Sequence, residues 1–396
     1  MIKFLLIPPT LFTLIWGVII YLHSLKLSKI LIDLNFETLY LVSMTCVCFY
    51  TGFIYYYLLK KGRVNLGLNV DLYFNYFNNA ALKRRFRCAL IFWFFMSVLE
   101  VLIHKNVPLL SAFGIGSYIR YTNFGIPGIH GFLNALYFCL VCYYFLRILI
   151  YKSMDSKLIL FFLMVWPFLL LHRMMIVALF VQMLIVFLII HLDKLKFSSL
   201  LKVVIGFFSF IFIFGFMGDF RSGREHILRL AQLTFDYPEW LPSGFAWVYI
   251  YVTSPINNLI NSISHYLYPD TLPIELLSRL VPSVLRDLIF TAFNKSKDIE
   301  LVSSAFNVST FYIEILSDFG YVFAPFLFVI IGFASFLIMD KQFNKPQYLL
   351  CWVALMYSII ISIFSNHMFH LVFWFEAFFF FILVKGFKLT RNKDLK

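Results

Sequence analysis

The chain has 396 residues, of which 62% are apolar and only 13% charged, with a mean hydropathy of +0.86 and a formal net charge of +13. A soluble domain is about half apolar and a quarter charged, so a water-soluble globule is excluded. The cations do not mark a nucleic-acid binder either, because Lys and Arg are split among short loops between apolar runs.

The apolar runs are roughly 16–25 residues long, enough to cross about 30 Å of hydrocarbon as helices. They predict an all-α polytopic membrane bundle in one integral domain, 1–396, with spans at 4–22, 36–59, 88–104, 131–150, 153–171, 174–191, 203–218, 320–339, 347–364 and 371–387. The first run follows a single Lys3 and has no small-x-small cleavage site after it, so it reads as an uncleaved span. The stretch from Lys152 to His191 is about 40 residues, about 60 Å as one helix and twice the hydrocarbon thickness. It must fold back, and beyond Lys157 its only charged interruption is His172–Arg173. The six Cys lie in or beside apolar runs, which argues against a disulfide framework and offers no zinc spacing.

Orientation follows from Lys and Arg. With the N-terminus inside, 21 of the 33 cations fall in about 70 inside loop residues and 12 in about 135 outside residues. Both termini are then expected in the cytoplasm, and the loop 219–319 outside. Within that loop, "EHILRLAQLTF" reads as a short amphipathic helix. "GFAWVYIYVTSPINNLINSISHYLY" carries no Asp, Glu, Lys or Arg, is interrupted by Pro255, and is expected to dip into the interface.

The polar groups near the outer span ends include Glu100, Arg120, His130, His172, Arg173, Asp219, Arg221, Arg224, Glu314, Asp318, His367 and His370. Seven of the 12 external cations are Arg. A guanidinium binds phosphate oxygens through a planar fork and keeps its charge when partly desolvated, so Arg120, Arg173, Arg221 and Arg224 are candidate clamps for a lipid-borne diphosphate. The stretch "YIRYTNFGIPGIHG" (118–131) adds Gly125, Gly128 and Gly131, which permit positive φ and close backbone approach, and Pro127, which stiffens the turn. Its backbone N–H groups could form an anion nest.

In "FNVSTFYIEILSDFG" (306–320), Asn307, Thr310, Glu314 and Ser317 are spaced to share a helix face, with Asp318 following. "SNHMFHLVFWFE" brings His367 and His370, with Glu376 inside the tenth span, where an acid is costly and a functional candidate. No HExxH, P-loop, GxSxG or DxD pattern is present, so no metal or cofactor is expected.

At these residues the chain resembles the O-antigen polymerases of bacterial envelopes, the Wzy type. The resemblance rests on the layout with one large late external loop and on "RYTNFGIPGIHGFLNALYF", the His172–Arg173 turn, "FRSGRE" and "NVSTFYIEILSDFG". Arg120 and Gly131 fit an Arg, ten residues, then Gly spacing; the second external loop does not reproduce it.

The resemblance implies a GT-C-like helical fold and a metal-independent transfer at the periplasmic face of the inner membrane. A growing glycan leaves undecaprenyl diphosphate for the terminal sugar of a new undecaprenyl-diphosphate-linked repeat unit. The implied partners are these two lipid-linked oligosaccharides, membrane lipid and a chain-length regulator. The residues matched to that chemistry are Arg120, Arg173, Arg221 and Arg224 on the diphosphate. His130, His367, His370, Glu314 or Asp318 would serve as base, and Trp247, Tyr249, Asn257 and Asn307 would contact sugar. An O-antigen ligase differs only in its acceptor. A flippase for lipid-linked sugars would instead place charges along a mid-membrane path.

Overall fold

The computed structural model describes residues 6–62, 70–191, 197–266, 274–290, 301–303 and 305–385. Lys3, Arg63, Lys194, Lys196 and the cations beyond Lys385, on which the orientation argument partly rests, lie outside the described residues. Within them the chain is helical, with a single isolated β-bridge between Ser28 and Leu233.

The helices are α1 (Pro8–Ser24), α2 (Phe36–Leu59), α3 (Val70–Phe77), α4 (Ala80–His104), α5 (Pro108–Ala112), α6 (Ile129–Tyr151), α7 (Met154–Leu169), α8 (Arg173–Ile190) and α9 (Phe197–Ser222). They continue as α10 (Arg224–Ala231), α11 (Gly244–Ser262), α12 (Ile274–Arg279), α13 (Ser283–Phe290), α14 (Tyr312–Phe323), α15 (Leu327–Asn344), α16 (Leu349–Ile361) and α17 (Leu371–Lys385). Each of the ten apolar runs falls on a helix. Among the described residues six spans are long and apolar enough to cross a membrane, while Pro8–Ser24 and Pro346–Ile361 are shorter apolar helices.

Local chemistry sets many of the boundaries. Prolines begin α1, and the side chains of Asn35, Asn79 and Ser153 cap α2, α4 and α7 by accepting first-turn N–H groups. The expected turn between the fifth and sixth runs is present: α7 ends at Leu169, Leu171 takes φ +50, and α8 starts at Arg173.

Burial divides the helices by role. In α6, 67% of the most apolar window is buried, against 28% in the spans of α4 and α9. The outward phenylalanines of α4 and α9 would be costly in water and are at ease against lipid. α6 is the central post. It runs antiparallel to α4, with Glu100 beside His130, Trp93 against Tyr137 and Phe86 stacked on Tyr143. It runs parallel to α17, since Phe86 also touches Phe380 while Gly131 and His370 border one cavity. α2 and α15 also run parallel and meet backbone to backbone where Gly52 faces Val329 and Gly332 faces Phe49. These contacts gather the ends of α1, α4, α7, α9 and α16 and the starts of α6, α8, α14 and α17 at one end of the bundle, the loop end.

Two local expectations are corrected. α11 is one unbroken helix through Pro255. A proline inside a helix costs about 3 kcal/mol, which the burial of Ile250, Thr253, Ile256 and Leu259 on both sides of it offsets. α11 begins beside Asp219, which accepts from Ser243 and Trp247, and ends beside His23 and Ile30, which bond Asn257. Both neighbours belong to the loop end, so α11 lies across that end. The polar stripe of 307–317 is not one helix face either. The helix starts only at Tyr312, so Asn307 and Thr310 precede it, and Gly320 at φ +66 and ψ 172 breaks it from the following span.

Candidate functional site

The loop end carries a cationic recess. Arg279, Arg286, His370, Val281, Pro282 and the backbone of Gly128 and Gly131 border a cavity of about 280 Å³. A second cavity of about 260 Å³ adjoins it across His370, bordered by Asn134, His172, Met175, Tyr357 and His367. The two Arg reach the recess because α12 and α13 form a hairpin. The Asp318 carboxylate accepts from the backbone N–H of Glu275 (3.0 Å) and Leu276 (2.8 Å), tying down the start of α12. Pro282 then ends the first helix and leads into the second. Arg279 pairs with Glu314 at 2.9 Å. Arg286 donates through Nε to the Ser278 carbonyl at 2.9 Å and through a terminal nitrogen to the Val281 carbonyl at 3.2 Å, which closes the hairpin turn and holds the guanidinium at the recess wall.

The imidazoles here sit between spans. Burial, followed by the Arg279 and Arg286 charges, holds His370 down at about 4. Burial, then His370 and Arg279, holds His367 at about 3. His172 is held at about 4 by burial and by His130 nearby. All three are therefore neutral at neutral pH and offer a hydrogen bond or a lone pair without adding charge to the Arg pair.

The stretch 118–131 folds over this end. Tyr121 stacks on His172 with ring centroids 4.9 Å apart. Gly125 and Gly128 take φ of +101 and +79, as a glycine loop allows, whereas Gly131 is helical and serves by having no side chain at the recess wall. His130 opens α6 and bonds Glu100 through Nδ1 at 2.9 Å.

The residues expected from sequence separate into two groups. His172, His367 and His370 border the two cavities, Glu314 joins them through its pair with Arg279, and His130 lies near His172. The expected clamps do not converge with them as a set. Arg120 is exposed and lies against Tyr118. Arg224 donates to the carbonyls of Pro238, Glu239 and Leu241, closing its own loop. Arg173 lies over the Trp247 ring at 4.7 Å, one residue from His172. Arg221 falls in the last turn of α9, and its side chain lies outside the described residues.

Among the expected sugar contacts, Asn257 is wholly buried and bonds His23, Ile30 and Ile32, and the Tyr249 hydroxyl bonds Leu22 and Leu27, so both hold the 22–32 connection. Trp247 packs between Arg173 and Asp219, and Asn307 is exposed. Asp318 is used as the cap of α12. Sequence reasoning passed over Arg279 and Arg286. Their signal was available: both lie in "IELLSRLVPSVLRDLIF", amphipathic and split by one proline.

No family model, characterised protein or solved structure matches the chain. What it does is therefore argued from geometry and chemistry.

Proposed function

We propose that the protein polymerises O-antigen repeat units, the side chains of lipopolysaccharide, at the periplasmic face of the inner membrane. The observation that carries the reading is the recess holding Arg279, Arg286 and His370 against the side-chain-free wall at Gly128 and Gly131. In this reading the ten apolar runs are ten crossings of a GT-C-like bundle, both termini are cytoplasmic, and the loop end faces the periplasm. A lipid-borne diphosphate enters the recess at headgroup depth. The guanidinium groups stabilise the charge that grows on the leaving diphosphate as the anomeric bond breaks, an effect that preorganised donors deliver at low dielectric. Neutral His367 and His370 fit beside it as hydrogen-bonding partners. Arg279 and Arg286 thus take the clamp role, with Arg173 next in sequence to His172, which borders the second cavity. The resemblance read in "RYTNFGIPGIHGFLNALYF" supports the same assignment, because that stretch supplies the recess wall.

An O-antigen ligase fits the same recess and differs in its acceptor. A flippase fits less well, because polar contacts such as Tyr56–Asp340 and Tyr73–Gln342 lie toward the end opposite the loops and the cationic recess lies at the loop end, with the buried Glu376–Gln182 contact deeper in the bundle. Deleting the gene is expected to leave lipopolysaccharide bearing one repeat unit, whereas loss of a ligase leaves bare core. Complementation with Arg279→Ala or Arg286→Ala should restore membrane-inserted protein but not long chains. Full-length ladders from both variants would remove the clamp.

A further inference from the structure

Glu100 lies near the end of α4 and has no accessible surface. A buried carboxylate is costly unless its oxygens are used. Here Oε1 accepts from the backbone N–H of Ile126 at 3.0 Å, and Oε2 faces His130 Nδ1 at 2.9 Å. A carboxylate accepts, so Nδ1 carries a proton, and in the neutral ring the lone pair is then on Nε2.

The surrounding loop is built to this one ring orientation. A Cβ on Gly125 would lie 2.4 Å from His130 Cγ and Nδ1. The Gly125 N–H is donated to His104 Nε2 at 3.0 Å, and the His104 ring lies against Phe124, which meets the His130 ring edge-on. An acid needed only to anchor the loop would be satisfied by backbone donors such as Ile126. This one also holds the ring of His130, a neighbour of His172, at the start of the helix whose Gly131 borders one cavity and Asn134 the other.

Resting on the polymerase reading, we infer that Glu100 is the positioning residue of His130 and that this pair accepts the proton of the incoming sugar hydroxyl. In the step, the acceptor O–H bond breaks and its proton passes to His130 Nε2. The acceptor oxygen bonds the anomeric carbon. The bond from that carbon to the diphosphate oxygen breaks, and the electron pair leaves on the diphosphate. The imidazolium so formed faces the Glu100 carboxylate, with His104 and His172 as its other titratable neighbours. His370 offers the opposite setting: it faces Arg279 and Arg286, which oppose a positive charge.

The test uses the full chain in lipid nanodiscs, with lipid-linked repeat units extracted from the deletion strain as donor and acceptor. Gln at 100 keeps the volume, and its amide oxygen can accept from both Ile126 and His130. An anchoring role therefore leaves Glu100→Gln close to wild type. The positioning role lowers kcat by about 10²–10⁴-fold with KM little changed, and Glu100→Asp, which keeps the charge, recovers part of it. His130→Gln falls as far, and the double variant falls no further. A Glu100→Gln kcat within about threefold of wild type, or a loss confined to KM, overturns the pair while leaving the polymerase reading intact. Should Glu100→Gln fail to insert, an active His130→Gln overturns it equally. Absence of elongation by the wild-type chain overturns both.

Discussion

Replacing Gly125 by Ala tests how tightly the loop 118–131 is built around His130. Residue 125 sits at φ +101, where an L-residue is strained by about 1–2 kcal/mol. The added methyl would lie 2.4 Å from His130 Cγ and Nδ1 and 2.7 Å from its Cβ. The backbone at 125 cannot retreat without losing its N–H bond to His104. The ring must therefore turn away, which deprives buried Glu100 of a hydrogen bond worth about 1.5–3 kcal/mol when charge-assisted. The total is about 2.5–5 kcal/mol, at the upper end of single substitutions. Glycan elongation in nanodiscs and thermal unfolding of the same preparation read the two consequences. Long chains should vanish and the melting temperature should fall. A variant with wild-type ladders and unchanged melting would show that the ring does not need this pocket, and the argument for a shaped loop would fail.

Acid should destabilise the loop end. His172, His367 and His370 are held well below the ordinary imidazole value by burial, so the unfolded chain takes up protons more readily than the folded one. Their contribution is complete above about pH 6.5 and is lost as pH falls toward 4 and 3, by at most about 1.4 kcal/mol per unit for each ring. Melting curves between pH 7.5 and 4.5 should show this slope, and Asn at 367 and 370 should flatten it. A stability independent of pH in that window would contradict the buried, neutral assignment. Gly52→Ala should force α2 and α15 apart, because its Cβ would stand 1.9 Å from the Val329 carbonyl oxygen. Overpacking of this kind costs about 1–3 kcal/mol or more, and Gly332→Ala strains the same crossing, so the two should be less than additive. Unchanged thermal stability of either variant in detergent would mean that the helices do not meet there.

The helical segments were legible from the sequence because a helix in lipid satisfies its own backbone groups, so each apolar run declares itself without reference to the others. The turn at His172–Arg173 was legible for the same reason: one uninterrupted helix would be twice the hydrocarbon thickness. Glycines 125 and 128 were legible as positive-φ positions. Proximity between distant positions was not. Arg120 and Arg224 stand in the more conspicuous motifs, yet one lies on the surface and the other closes its own loop. Arg279 and Arg286 look like unremarkable amphipathic-helix residues until the Asp318 cap, 32 residues beyond Arg286, swings their hairpin over the start of α17. The pairing of Glu100 with His130 depends in the same way on two antiparallel helices and a glycine with room for a ring. The length of the apolar runs alone placed the helices. Which polar side chains share a cavity was decided by helix packing, since that depends on contacts between residues tens to hundreds of positions apart.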